Sequence, residues 1–279
     1  MDTINITDLT VEFGNFRALD GLSMAVDKGS IHGFLGPNGS GKSTTIRTLL
    51  GLLHPKSGSV SVLGEDPRAH PEVLKRVGYV PGDVTLWPGL TGAETFRALE
   101  SLRGIPSNRS REAELIDAFD LDPTKRAKSY STGNRRKVLL VAALSIDAEL
   151  LILDEPTAGL DPLMEREFQN QLRLEHDRGA AVLLSSHILS EVEALCDYVT
   201  VIKQGRAVES GKIETLRELA GHRVSATVSG RHIVETLPES QVGSLLEQLL
   251  RQGASNISVT TASLEETFLK HYADNEVVK

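Results

Sequence analysis

Little in this chain supports a cross-linked or membrane-embedded reading. Its 279 residues include one cysteine, Cys196, which excludes an internal disulfide framework. Within Ala194-Leu195-Cys196-Asp197 that thiol reads as a core residue of a protein kept in a reducing compartment. No apolar run approaches the roughly 18 residues of a membrane helix, and Met1-Asp2-Thr3 opens no signal peptide. The expectation is a soluble chain whose membrane role would come through a partner. Excess positive charge is also missing: the formal net charge is −8, which disfavours indiscriminate nucleic-acid binding. The local basic stretch Lys125, Arg126, Lys128, Arg135, Arg136 and Lys137 therefore reads as a solvated face. Aromatic residues are sparse at 4%, with Trp87 the single tryptophan. Internal repeats and low-complexity tracts are lacking. What remains, 40% hydrophobic over this length, suffices for one large core and a small appendix.

Against this background stand four motifs in order. Gly36-Pro37-Asn38-Gly39-Ser40-Gly41-Lys42-Ser43 has the spacing of a Walker A loop, followed by Thr44. It lies between a buried strand, Ser30 to Leu35, and a helix predicted from Ser43 to Leu53. Glycines let successive N–H groups turn toward phosphate oxygens, and the helix N-terminus adds partial positive charge. Lys42 would reach the β- and γ-phosphates and Ser43 would offer its hydroxyl to Mg²⁺. The second motif, Ser131-Thr132-Gly133-Asn134-Arg135, reads locally as a loop-to-helix start with Ser131 as N-cap. In the third, the apolar strand Leu150 to Leu153 delivers Asp154 and Glu155 to the carboxyl end of a sheet. Asp154 would hold Mg²⁺ and Glu155 would polarise an attacking water. In the fourth, the strand Ala181 to Ser186 ends at His187, placed to donate a hydrogen bond to a γ-phosphate or to the lytic water.

Taken together, residues 1 to about 218 resemble the ATP-binding cassette (ABC) ATPases, the nucleotide-binding subunits of transporters. The resemblance implies an α/β fold: a P-loop NTPase with a RecA-like core, an antiparallel β edge and a helical subdomain at about 83–149. It implies ATP and Mg²⁺ as ligands. Ser131 and Gly133 stand where the family touches the nucleotide of the opposite protomer, so the active form would be a homodimer sandwiching two ATP molecules. Thr157 to Asp161 resembles the loop that communicates between the two sites. Phe13 matches the family's adenine-stacking aromatic, the alternative being a core residue. After Val80-Pro81 the family carries Gln, whereas this chain has Gly82 followed by Asp83. Either water or Asp83 would replace that amide, or the loop would act through its backbone. Trp87 is expected at the groove that receives a helix of an integral membrane permease, or else in the core of the helical subdomain.

Residues 219–279 form an expected C-terminal accessory α/β region, with a strand at Arg223–Val228, a helix at Gln241–Arg251, a strand at Ile257–Thr260 and a capping box at Ser263 to Glu266. Ser263 to Lys270 resembles the tail of ABC-2 type exporters, including those of drug and antibiotic resistance. The expected function is thus an ATPase on the inner face of the cell membrane, energising export through a separate permease. The alternative is a soluble cassette protein acting on ribosomes or DNA, though the paired cassettes or coiled-coil insertion usual in such proteins are absent from this sequence.

Overall fold

The computed structural model describes residues 2–261, apart from the side chains of 218–220. The capping box expected at Ser263 lies outside the described residues. Two compact units divide the chain after Ser210.

The first unit begins with an antiparallel sheet of β1 (Ile4–Phe13), β2 (Phe16–Val26) and β4 (Ser57–Val62), in the order β2-β1-β4. Alternation along β1 buries Ile4, Ile6, Leu9 and Val11, and a register shift at Asp8, whose φ is 47°, keeps Leu9 on the inner face. These side chains pack against Phe34 of β3 (Ile31–Leu35) and against Ile46 and Leu49 of α1 (Lys42–Leu49). The helix is shorter than its apolar content predicts. It stops before Gly51, which takes φ 70° and turns Leu52 into solvent.

A six-stranded sheet in the order β5-β6-β7-β3-β8-β9 forms the centre. Its members are β5 (Val77–Val80), β6 (Leu150–Asp154), β7 (Ala181–Ser186), β3, β8 (Tyr198–Lys203) and β9 (Arg206–Lys212). The pairs β5–β6, β6–β7, β7–β3 and β3–β8 are parallel. Strands β3, β6 and β7 are buried at every residue, as expected for a parallel sheet covered on both faces. Their register aligns the carboxyl ends: Leu35 is level with Ser186, Asp154 with Ser185, and Val80 with Leu153. Loops leaving these ends therefore meet at one edge, where open α/β sheets bind ligands. Strand β9, which sequence reasoning did not resolve, returns beside β8 through the tight turn Gln204-Gly205, both residues having positive φ.

Between β5 and β6 the chain is helical, as predicted. Helix α2 (Gly92–Arg103) opens with a reciprocal Thr91/Glu94 capping box and closes at Gly104 in the left-handed region. Helix α3 (Arg109–Ala118) is capped by Asn108, and α4 (Thr132–Leu144) by Ser131, whose side chain accepts from the Asn134 amide. Helix α5 (Pro162–Asp177), capped by Asp161, and α6 (Leu189–Leu195) complete this unit.

His32, on β3, is 3% exposed, with Nε2 lying 2.8 Å from Thr200 Oγ1, and burial lowers its pKa to about 4. It is neutral in the folded chain, whereas the unfolded chain takes up the proton first, near pH 6.5. Its contribution to stability is therefore complete above pH 6.5 and is lost as pH falls toward 4. Between pH 7.5 and 5, urea unfolding of the parent should lose about 2 kcal/mol more than that of His32→Gln. Equal losses would remove His32 as the source of the acid sensitivity.

The second unit carries α7 (Ile213–Ala220), β10 (His222–Val228), β11 (Arg231–Leu237), α8 (Glu239–Arg251) and β12 (Ser255–Thr261). Its antiparallel sheet has the order β11-β10-β12. Val224 and Ala226 of β10 pack with Leu249 of α8 in a small separate core. Strand β11 was not predicted. It is an edge strand with mostly exposed residues, joined to β10 by the turn Ser229-Gly230, both with positive φ.

Candidate functional site

The Walker A residues leave β3 at the sheet edge. The Gly36 amide donates to the Ser186 carbonyl (3.2 Å), which anchors the loop to the neighbouring strand. A Cβ on Gly36 would fall 2.5 Å from the Ile202 carbonyl oxygen and 2.6 Å from Ser40 Oγ, so no other residue fits there. Gly41 takes φ 116° as the N-cap of α1 and offers no side chain, leaving the first-turn amides of Lys42, Ser43 and Thr44 without a side-chain cap. Such a turn is an anion cradle. Ser40 Oγ is buried there without a hydrogen-bond partner. Lys42, 5% exposed, donates to the carbonyls of Gly36 (2.6 Å) and Pro37 (3.3 Å), and Nζ lies 3.5 Å from Glu155 Oε1.

Asp154 and Glu155 end β6. Asp154 is 4% exposed and accepts a short hydrogen bond from Ser185 Oγ. The Glu155 amide is held by the Ser185 carbonyl (3.2 Å) and by Ser185 Oγ (3.1 Å), and the residue is forced to φ 47°. A non-glycine residue in that region is strained, and such strain concentrates at functional sites. It turns the carboxylate back toward the loop, where Oε1 faces both Lys42 and His187 Nδ1 (3.3 Å). The sequence-predicted Lys42, Asp154, Glu155 and His187 thus converge.

Two small cavities flank this convergence. One, of about 240 Å³, is bounded by Asn38, Gly39, Gly41, Lys42, Ser43, Thr44, Glu155, Phe13 and Phe16. Phe13 is 50% exposed at its mouth, which overturns the core alternative and leaves the ring free for a flat ligand. Phe16, also exposed, joins it across the β1–β2 turn and was missed, because nothing in its local pattern marks it. The other cavity, of about 280 Å³, brings Ser43, Asp154 and Glu155 together with Asn38, Tyr79, Gly82 and Asp83. Hydroxyl and carboxylate oxygens are the donors a hard divalent cation prefers, so this set fits Mg²⁺. No cluster of three or more His, Cys, Asp or Glu ligands occurs among the described residues, so phosphate and water oxygens would complete the shell.

Ser131 and Gly133 bound neither cavity. Ser131 is exposed at the α4 N-terminus, and a Cβ on Gly133 would lie 2.6 Å from the Gly159 carbonyl oxygen, so that helix end rests on the Thr157–Asp161 loop. Glu191, also missed, ties two motifs together: Thr157 Oγ1 donates to Oε1 (2.8 Å) and Ser186 Oγ to Oε2 (2.7 Å). The signal that could have exposed it was a carboxylate four residues past His187. Trp87 is 47% exposed and lines a groove of about 540 Å³ with Tyr79, Leu86, Leu99, Arg103 and Leu139, so it does not fill the subdomain core. The basic stretch is likewise not a uniform solvated face, since Arg136 is 2% and Lys137 8% exposed.

The family model described as ABC transporter matches residues 19–158. The chain is 38% identical over 226 residues to the daunorubicin/doxorubicin resistance ATP-binding protein DrrA of Streptomyces peucetius, spanning 79% of this chain and 68% of that protein. It is 36% identical over 220 residues to the Nod factor export ATP-binding protein I of Burkholderia orbicola (strain AU 1054), spanning 77% and 72% respectively. The solved structure of an ATP-binding subunit of an ABC transporter superposes with a TM-score of 0.73 at 30% identity, covering 78% of this chain and 92% of that one. A strained glutamate beside a buried lysine at the carboxyl edge of a parallel sheet, within such relatives, means that this chain belongs to the ABC transporter family as one of its ATP-binding, ATP-hydrolysing cassettes.

Proposed function

We propose that this chain is the ATPase subunit of an exporter, acting as a homodimer on the inner face of a membrane against a separate integral permease. The observation that carries the reading is the meeting of Lys42, Glu155 and His187 at one edge of the sheet while Ser131 and Gly133 stand outside that cavity. A cradle and a second helix end that do not share a cavity are what two copies, each completing the other's site across a two-fold, would present. Export rather than import follows from relatives whose names carry drug resistance and export.

The geometry supports the following roles. Phe13 offers a face for adenine, and the first-turn amides of Lys42, Ser43 and Thr44 with the Lys42 ammonium take the phosphates. Ser43 and Asp154 would hold Mg²⁺, with Asp83 facing the same cavity in place of the glutamine expected at position 82. Bound there, the ion would supply neutralisation of phosphate charge. Glu155 accepts the proton of the attacking water, and His187, adjoining the same oxygen, hydrogen-bonds the γ-phosphate or that water. Ser131 and Gly133 close on the partner's nucleotide, and the pair opens once the shared phosphate contacts are lost. Membrane attachment is assigned to the permease, since no helix among the described residues is long and apolar enough to cross a bilayer.

The groove around Trp87 is the proposed seat of a permease helix: it is largely apolar, with Arg103 as a charged residue on its wall. Anchoring tryptophans at interface centres contribute about 2 kcal/mol or more. Trp87→Ala should therefore weaken co-purification with the permease about thirtyfold while leaving basal ATP hydrolysis by the free chain intact. Full co-purification accompanied by a lowered Tm would sink the docking role.

A further inference from the structure

Arg136 sits one turn into α4, past its Ser131 cap, and is almost wholly buried. Its guanidinium donates from Nη1 to the Pro81 carbonyl (2.6 Å) and from Nη2 to the Gly82 carbonyl (2.8 Å). Those carbonyls belong to the loop leaving β5, part of the wall of the cavity that holds Ser43, Asp154 and Glu155. The loop lies directly against the acid, since a Cβ on Gly82 would be 3.2 Å from Asp154 Oδ2. Burying an arginine is costly unless its donors are used; here Nη1 and Nη2 are spent on backbone oxygens that move whenever the loop moves, while Nε is buried without a partner, so the two carbonyls are what hold the group in place. Val138 to Leu144 are buried in their own right, so α4 has packing that holds it without this residue.

We infer that Arg136 is a positioning residue: its two-pronged link carries displacement of residues 81–83 at the metal-side cavity to the Ser131 end of α4, and so sets when that end is aligned for the second subunit's nucleotide. Asp154 and Glu155 act electrostatically on the same guanidinium, so a change of charge in the cavity reaches it directly as well. The inference rests on the dimeric ATPase reading above and adds the route between its two half-sites. Lysine cannot replace the fork, since a point donor on a flexible stem does not hold two fixed carbonyls at once.

The test compares the full chain with Arg136→Met and Arg136→Lys. In Arg136→Met the Kd for ATP should stay within about threefold while kcat per folded molecule falls about tenfold or more, with KM following Kd. Arg136→Lys should recover most of the Tm but leave kcat about threefold or more below the parent. A kcat in Arg136→Met within about twofold of the parent, or a lysine variant that restores Tm and kcat together, would reduce Arg136 to a structural brace and overturn the inference. If the parent itself were inert with Mg-ATP, the ATPase reading would fail instead. The link would then be judged by hydrogen exchange of the nucleotide-free chain. Arg136→Met must loosen residues 81–85 and 131–135 together, and loosening of one segment alone overturns it.

Discussion

Glu155→Gln should lower kcat by about 10² to 10⁴-fold, the range a positioned general base supplies, while ATP still binds. The backbone at Glu155 is fixed by two bonds from its amide to Ser185, so an isosteric amide will occupy the same place and its oxygen can still face Lys42 and His187. What changes is basicity and charge. The amide cannot take a proton from water, and Lys42, no longer facing a carboxylate, is freer for a triphosphate. ATP affinity should hold or tighten, and with Mg-ATP the variant should accumulate as a dimer, because in the proposed cycle hydrolysis is the step that separates the subunits. Single-turnover phosphate release and light scattering measure both effects. Turnover at the parental rate would take Glu155 out of the chemistry.

The parts of this site that could be read from the sequence are those where backbone geometry or charge admits few residue types. Gly36 has no room for a Cβ, and Gly41 adopts a conformation that side-chain-bearing residues avoid. The parallel strands are buried on both faces, so Leu150 to Leu153 and Ala181 to Leu184 show as unbroken apolar runs ending in Asp154 and the Ser185-Ser186-His187 edge. Arg136 was misread for the opposite reason. Its burial is decided by two carbonyls 54 and 55 positions away, and nothing within a helical turn of it reports them. Phe16 and Glu191 gain their places through a turn and through Thr157 and Ser186, contacts that only tertiary structure creates. In the second unit, β10 shows the alternation of a half-buried strand, whereas its partner β11 lies at the edge with most residues in solvent and carries too weak a pattern.

The largest stability effect is expected where α3 meets α5. Arg111 and Glu175, both buried, form a pair in which Arg111 Nε (3.2 Å) and Nη2 (2.8 Å) donate to Glu175 Oε1, and Arg178 Nη1 adds a third donor (2.8 Å) from a half-exposed position. The two halves of this join are not equivalent. Removing the carboxylate in Glu175→Leu strands a buried guanidinium whose other acidic neighbour, Glu114, lies 3.6 Å away and is mostly exposed. Removing the guanidinium in Arg111→Met leaves Glu175 with Arg178 still on it. Glu175→Leu should therefore cost about 3 to 5 kcal/mol in urea unfolding, the range for an uncompensated buried charge, and Arg111→Met distinctly less. The double variant Arg111→Met/Glu175→Leu should regain most of the loss, because apolar side chains of similar volume suffer no desolvation. That recovery separates a costly ionic join from a packing role: strictly additive losses would mean that the two positions matter for their volume and not for their charge. Helix α5 is capped by Asp161, the end of the loop on which Gly133 rests, and α3 lies in the segment that also carries α4. A join between these helices fixes the helical segment to the sheet-bearing core at a point away from the phosphate cradle, and leaves the Ser131 end to be moved from the Pro81–Asp83 side.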